Sequence, residues 1–144
     1  MFKRILVPVD GSPTSDKALA LALQLARESD ASVRLVHSFD ELSYLTGFEV
    51  LPQIIDDARR YAEQVLGDGL KLATAHHVPA DSRLLEAPGR RLGELVAEAA
   101  RDFHADLIVV GTHGRHGIGR VALGSGAEQV IRSAPVPVLA VRGT

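Results

Sequence analysis

The sequence predicts an α/β fold, a single doubly wound, Rossmann-like domain with a five-stranded, mainly parallel sheet flanked by about four helices. Three observations lead there. Apolar, β-branched runs recur at residues 4–9 (RILVPV), 32–39 (SVRLVHSF) and 106–111 (DLIVVG), with little polar interruption, as in strands covered on both faces. The runs alternate with stretches whose apolar residues recur at helical spacing. The connections are long enough to hold crossover helices, so right-handed βαβ units and parallel pairing are the expected assembly. With 144 residues, 46% of them apolar, the chain has material for one domain over residues 1–144, and no internal repeat or low-complexity linker divides it.

The first strand, 4–9, ends at Asp10-Gly11. Ser12 before Pro13 reads as an N-cap with proline at the first helical position, and Ala18, Leu19, Ala22, Leu23, Leu25 and Ala26 form the stripe of a helix ending near Ser29-Asp30. After the second strand, 32–39, a less regular stretch runs through Gly47 into a long helix over about 51–76, with Pro52 in its first turn. Residues 82–86 read as a short strand, and Leu92, Leu95, Val96, Ala99 and Ala100 recur at helical spacing. The clearest strand, 106–111, precedes a glycine-rich loop. AEQVIRSA then reads as a helix, and PVPVLAVR as a final strand whose Pro135 and Pro137 place it at a sheet edge.

Composition removes several function classes. Charged residues are 24% of the chain and nearly cancel to a net −2, with 4% aromatics, so neither nucleic acid nor an anionic membrane is an expected partner. There is no cysteine, which excludes disulfides, thiolate metal sites and cysteine nucleophiles. The apolar run near the N-terminus is interrupted at Pro8 and Asp10, too soon for a signal peptide or membrane span, and the expected location is cytoplasmic.

In an open parallel sheet, ligands bind beyond the carboxyl ends of the strands where strand order reverses. That rule selects the Asp10-Gly11 turn, the His37–Asp40 turn and the loop after Val110. The last carries six glycines in the sixteen residues from Gly111 to Gly126, between a buried strand and a helix. Glycines let backbone N–H groups approach an anion, and a helix start near Ser125 adds a positive dipole end. Ser125 offers a hydroxyl, and Arg115 and Arg120 offer charge. Two readings stand: a phosphate cradle, or a surface loop with Ser125 as its N-cap. GxxxxGK[ST] is absent, and so is GxGxxG after the first strand.

Gly111 and Gly114, nine residues, then Gly124-Ser125 spell GxxGx9G[ST], which resembles the ATP-binding signature of the universal stress protein family. The likeness extends along the chain through KRILVPVDGSP, VRLVHSFD, ADLIVVGTHGRHG and SAPVPVLAVR. It implies that Pro8, Val9 and Asp10 contact the adenosine and that Ser38, after His37, lies against adenine. By the same resemblance Gly111, Gly114, Gly124 and Ser125 wrap the ribose and phosphates, with Thr112, His113, Arg115 and Gly126 beside them. Gly126 departs from the pattern, since Val or Thr is common there, and is expected to loosen the helix start while leaving binding intact. The ligand implied is ATP, with Mg²⁺ or Mn²⁺ as a companion and AMP or ADP as alternatives. The function implied is that of a nucleotide-dependent regulatory or stress-response switch; a slow metal-dependent ATPase and a nucleotide-free dimeric scaffold are the competing readings. The family also implies a homodimer through antiparallel pairing of the last strand, with Val136, Val138 and Ala140 among the contacts. The strand's own apolar edge, uncharged until Arg142, points the same way.

Asp10 has two roles open to it: bonding to adenine, ribose or a metal, or organising the turn into the first helix. His76, His77 and His104 fall near helix ends as exposed or capping residues, and His37 reads as a satisfied strand-end histidine. His113 and His116 stand in the glycine-rich loop without a zinc-site pattern, and no metal ligand is assigned. No catalytic residue is assigned either, because the only acid near the motif besides Asp10 is Glu128, on a helix.

Overall fold

The computed structural model describes residues 1–39, 45–46, 49–50, 52–86, 89–112 and 125–143. Strand β1 spans Arg4–Pro8 and leads into helix α1, Pro13–Ser29. The helix begins where its sequence says it should: Ser12 holds extended backbone, its side chain accepts the Ser15 N–H at 3.1 Å, and Pro13 follows. It stops at Asp30, in the left-handed conformation with φ 55°. Then come β2 (Ser32–Phe39), a two-stranded antiparallel pair β3 (Leu45–Thr46) and β4 (Glu49–Val50), and α2 (Pro52–Ala75). β5 (Ala80–Glu86), α3 (Leu92–Phe103), β6 (Leu107–Gly111), α4 (Ser125–Ser133) and β7 (Val138–Val141) complete the order.

The five long-range strands form one sheet in the order β5-β2-β1-β6-β7, and every neighbouring pair is parallel. The doubly wound, five-stranded fold with four helices is therefore the one expected. Order reverses between β1 and β6, which makes the gap above their carboxyl ends the topological switch point. Successive β1 side chains serve opposite cores: Ile5 and Val7 pack with Leu23, Leu35 and Leu66 under α1 and α2, while Leu6 packs with Val36, Val96, Phe103 and Val130 under α3 and α4. Ile5, Leu6 and Val7 are all fully buried.

Several boundaries differ from the sequence reading. The final strand, read as 135–142, is shorter and starts at Val138, because Pro135 and Pro137 have no N–H to give the ladder, and α4 opens at Ser125, ahead of the AEQVIRSA stretch. Val9 lies past β1, though its N–H still bonds the Val36 carbonyl at 2.8 Å. Asp106 precedes β6 and uses its carboxylate to accept the N–H groups of Lys3 and Arg4, at 2.8 and 3.0 Å. β5 starts two residues earlier than expected because Asp81 takes a two-point hydrogen bond from Arg34 on β2, both contacts 2.8 Å. The β3–β4 pair falls in the stretch read as irregular, since strands of two residues carry no periodicity. Among the described residues no helix is long and apolar enough to cross a membrane.

The Arg34 hydrogen bond holds the Asp81 carboxyl below the ordinary carboxylate range. A lowered carboxyl contributes stability above its unfolded pKa and loses it as pH falls through the folded value. Asp81 is 46% exposed, so solvent screening keeps the contribution under about 1 kcal/mol. Urea titrations across the acid range should show a shallower loss of stability in Asp81→Asn than in the wild type, and equal slopes would remove the pair from the acid response.

Candidate functional site at the sheet switch point

The residues around the end of β1 are tied from three directions. His37, buried at the end of β2, holds the Val9 carbonyl through Nδ1 at 2.7 Å, which makes Nδ1 the protonated nitrogen because a carbonyl only accepts. The next peptide turns its Asp10 N–H to Ser15 Oγ at 3.0 Å. Tyr61, reaching across from α2, donates its hydroxyl to the Asp10 carbonyl at 2.9 Å and meets the His37 ring edge-on, centroids 6.2 Å apart. Asp10 Oδ1 accepts the Ser12 N–H at 2.9 Å, closing an Asx-type turn into α1. The structural role of Asp10 is thus real, and it uses Oδ1 alone; Oδ2 has no hydrogen-bond partner among the described residues.

Gly11 sits at the apex with φ 81°, and a Cβ there would lie 2.3 Å from the Tyr61 hydroxyl oxygen. Both the left-handed backbone and the overlying phenol require glycine.

The second wall is the end of β6. A Cβ on Gly111 would come within 2.9–3.0 Å of the Thr14 side chain and backbone, so this motif glycine lets the first turn of α1 close on the strand. Its first task is packing between elements. Thr112 continues the ladder, its N–H bonding the Val141 carbonyl at 2.9 Å, and its buried hydroxyl has no hydrogen-bond partner among the described residues. An orphaned hydroxyl at the entrance to the glycine loop is a costly feature in a closed core and an available one beside a ligand.

Pro8 ends β1 with Val9 and Asp10 just beyond it, Gly111 ends the adjacent β6 with Thr112 just beyond it, and Ser38 lies on the next strand over, on the sheet face carrying α3 and α4. Ser125 opens α4, and Gly126 follows with Leu92 Cδ2 only 3.1 Å from where its Cβ would stand, so its departure from the family pattern has a packing reason. His113, Gly114, Arg115 and Gly124 lie outside the described residues. His104 caps α3 and His77 holds a left-handed turn, both exposed, in line with the sequence reading.

Asp16, on the first turn of α1, is raised above the ordinary carboxylate range by burial, then by the charges of Asp10 and Asp68. The turn thus faces an acidic corner as well as a helix start. Tyr61 and Thr14 were missed from the sequence. Tyr61 carried a faint signal, a polar-tipped aromatic in a chain with few aromatics, but its partner carbonyl is 51 residues away.

With this geometry in place, the likeness to known proteins is informative. The model of the universal stress protein family matches residues 1–142, and the chain belongs to that family. A universal stress protein of Thermus aquaticus is 34% identical over 99% of this chain and all of its own length. A crystal structure of a family member from Burkholderia pseudomallei is 32% identical, covers 96% of this chain and 95% of its own, and superposes with a TM-score of 0.78. A universal stress protein crystallised with cAMP is 25% identical over 99% of both chains, TM-score 0.74. Two more distant structures, from Archaeoglobus fulgidus with dAMP and Arabidopsis thaliana with AMP, share the fold at 23% and 14% identity.

Replacing Gly11 by alanine forces a left-handed L-residue into the space of the Tyr61 hydroxyl. Gly11→Ala should lower unfolding free energy by about 1–3 kcal/mol in urea titrations; a loss under about 0.5 kcal/mol, the size of an ordinary surface change, would mean the turn relaxes freely.

Proposed function

We propose that the chain binds an adenine nucleotide, with ATP as the leading ligand, and that occupancy serves as a regulatory or stress-response switch. The observation that carries the reading is the position of the GxxGx9G[ST] segment. Its first residue, Gly111, ends β6 beside the reversal of strand order, and its last, Ser125, opens α4. There the positive end of a helix and free backbone donors favour a phosphate group. Pro8, Val9, Asp10 and Ser38 would line the adenosine side, and Gly111, Thr112, His113, Gly114, Arg115, Gly124, Ser125 and Gly126 the ribose and phosphates. The relatives crystallised with cAMP, dAMP and AMP support adenine as the base.

Among the described residues no group of three or more His, Asp or Glu is arranged to hold a metal. A divalent ion, Mg²⁺ or Mn²⁺, would then arrive with the triphosphate, with Asp10 Oδ2 as the side-chain oxygen left to meet it. Binding without rapid turnover is favoured by the acids themselves. Asp10 is committed to its turn through Oδ1, and Glu128 pairs with Arg132 at 2.6 Å. With Oδ1 and Glu128 so engaged, a general base would have to be Asp10 Oδ2, the same oxygen a metal would need.

Titration calorimetry with ATP, ADP, AMP and cAMP, with and without Mg²⁺, tests the reading. Binding at about micromolar Kd is expected, weakened roughly tenfold or more by Ser125→Ala through loss of a charge-assisted bond, and also by Gly114→Ala. No binding of any adenine nucleotide would end the switch reading and leave the scaffold.

A homodimer through β7 forms part of the same proposal. β7 pairs with β6 on one side only, and Leu139 is 37% exposed, while Val136 and Val138 pack against the α3/α4 core, leaving the strand's backbone edge to make the contact. Light scattering at about micromolar concentration should give twice the chain mass, and Leu139→Lys should shift it toward the monomer; a monomeric wild type would refute the dimer.

A further inference from the structure

We infer that Tyr61 is a positioning residue: its hydroxyl fixes the plane of the Asp10–Gly11 peptide so that the Gly11 N–H is presented to the nucleotide. The inference rests on the nucleotide reading above and adds to it a donor and the side chain that aims it.

A trans peptide points its C=O and N–H in opposite directions, and the chain has no cis peptide bond among its described residues. Tyr61 draws the Asp10 carbonyl toward α2 with a 2.9 Å hydrogen bond. The Gly11 N–H of that same peptide must therefore point away from α2, toward the side of the sheet on which α4 begins. The preceding peptide is set by the same logic, with the Val9 carbonyl held by His37 and its opposite end, the Asp10 N–H, spent on Ser15 Oγ. The following donor is also spent, since the Ser12 N–H goes to Asp10 Oδ1. Of the three successive N–H groups in the turn, Gly11 alone has no acceptor among the described residues, and it is exposed.

Glycine at φ 81° has easy access to other conformations, so without a tether this peptide could flip and turn a carbonyl toward an incoming phosphate or ribose. The Tyr61 hydroxyl opposes that flip. Its ring is braced against His37, which keeps the donor itself from wandering. Tyr61→Phe retains the ring and removes the tether.

The test uses the whole chain, wild type and Tyr61→Phe, with ATP as the probe, at a temperature where both give the same circular dichroism. Two readouts are taken: the ATP Kd, and hydrogen exchange of the Gly11 amide with and without ATP. The expected result is a Kd about fivefold weaker in Tyr61→Phe, the fold-change of one ordinary hydrogen bond, together with ATP-induced slowing of Gly11 exchange that is clear in the wild type and reduced in the variant. Merely structural support for α2 would lower thermal stability and leave the Gly11 amide indifferent to ATP. If the wild type binds ATP with no change at Gly11, or the variant binds equally well, the inference is overturned and the nucleotide reading stands. Failure of the wild type to bind any adenine nucleotide overturns both. Should Tyr61→Phe not fold, the wild-type exchange measurement still puts the inference at risk, since a Gly11 amide unaffected by bound ATP overturns it.

Discussion

A strand that is hydrogen-bonded on both sides and covered on both faces has no route to solvent, so every one of its polar groups must find its partner within the fold. β1 is in that position: β2 and β6 flank it, and Ile5, Leu6 and Val7 are fully buried. The rest of the structure is arranged around its two ends. At the amino end, Lys3 Nζ caps the α1 carbonyl of Ser29 on one face, and the Arg4 side chain bonds the Phe103 carbonyl at the end of α3 on the other. Asp106 closes the gap to β6 by taking both backbone N–H groups. These contacts place cations at the carbonyl ends of two helices and leave the opposite ends of those helices on the side of the candidate site.

At the carboxyl end the same demand for partners produces the candidate site. The ladder runs out after Val9, and the remaining donors and acceptors are taken by side chains from three elements, His37, Tyr61 and Ser15. What is left over has chemical meaning: the Gly11 N–H, Asp10 Oδ2 and the Thr112 hydroxyl are polar groups without partners among the described residues, gathered where β1 and β6 diverge. The sheet's two edges differ in a related way. β5 carries Asp81, Arg83 and Glu86, charges that discourage pairing, whereas β7 has an uncharged run of Val138, Leu139, Ala140 and Val141.

Much of this was legible in the sequence because the signals were local. The Ser12-Pro13 cap, the double-faced β1 run and the two prolines each act over a few residues; the cap stands where the pattern put it, β1 stops one residue short of the run, and the prolines gave β7 its edge position while lying before the strand. The strand order could be narrowed by topology rules, and so could the crevice. What escaped was long-range and specific. Arg34 and Asp81 extend β5 across 47 residues of sequence, and Tyr61 reaches Asp10 across 51. Glycine was legible as a type of residue and less so in its purpose. Gly111 suggested phosphate approach, and its immediate environment is Thr14; Gly126 suggested a loosened helix, and its neighbour is Leu92.

An adenine nucleotide in the crevice between the ends of β1 and β6, as proposed, would be seen most plainly in a map of backbone amide shifts by two-dimensional NMR as ATP is added. The perturbed amides should cluster at Val9 to Ser12, Ser38, Gly111, Thr112 and the first turn of α4. Perturbation centred instead on the cleft lined by Arg83, Leu85, Glu98 and Asp102, between β5 and α3, would contradict that placement.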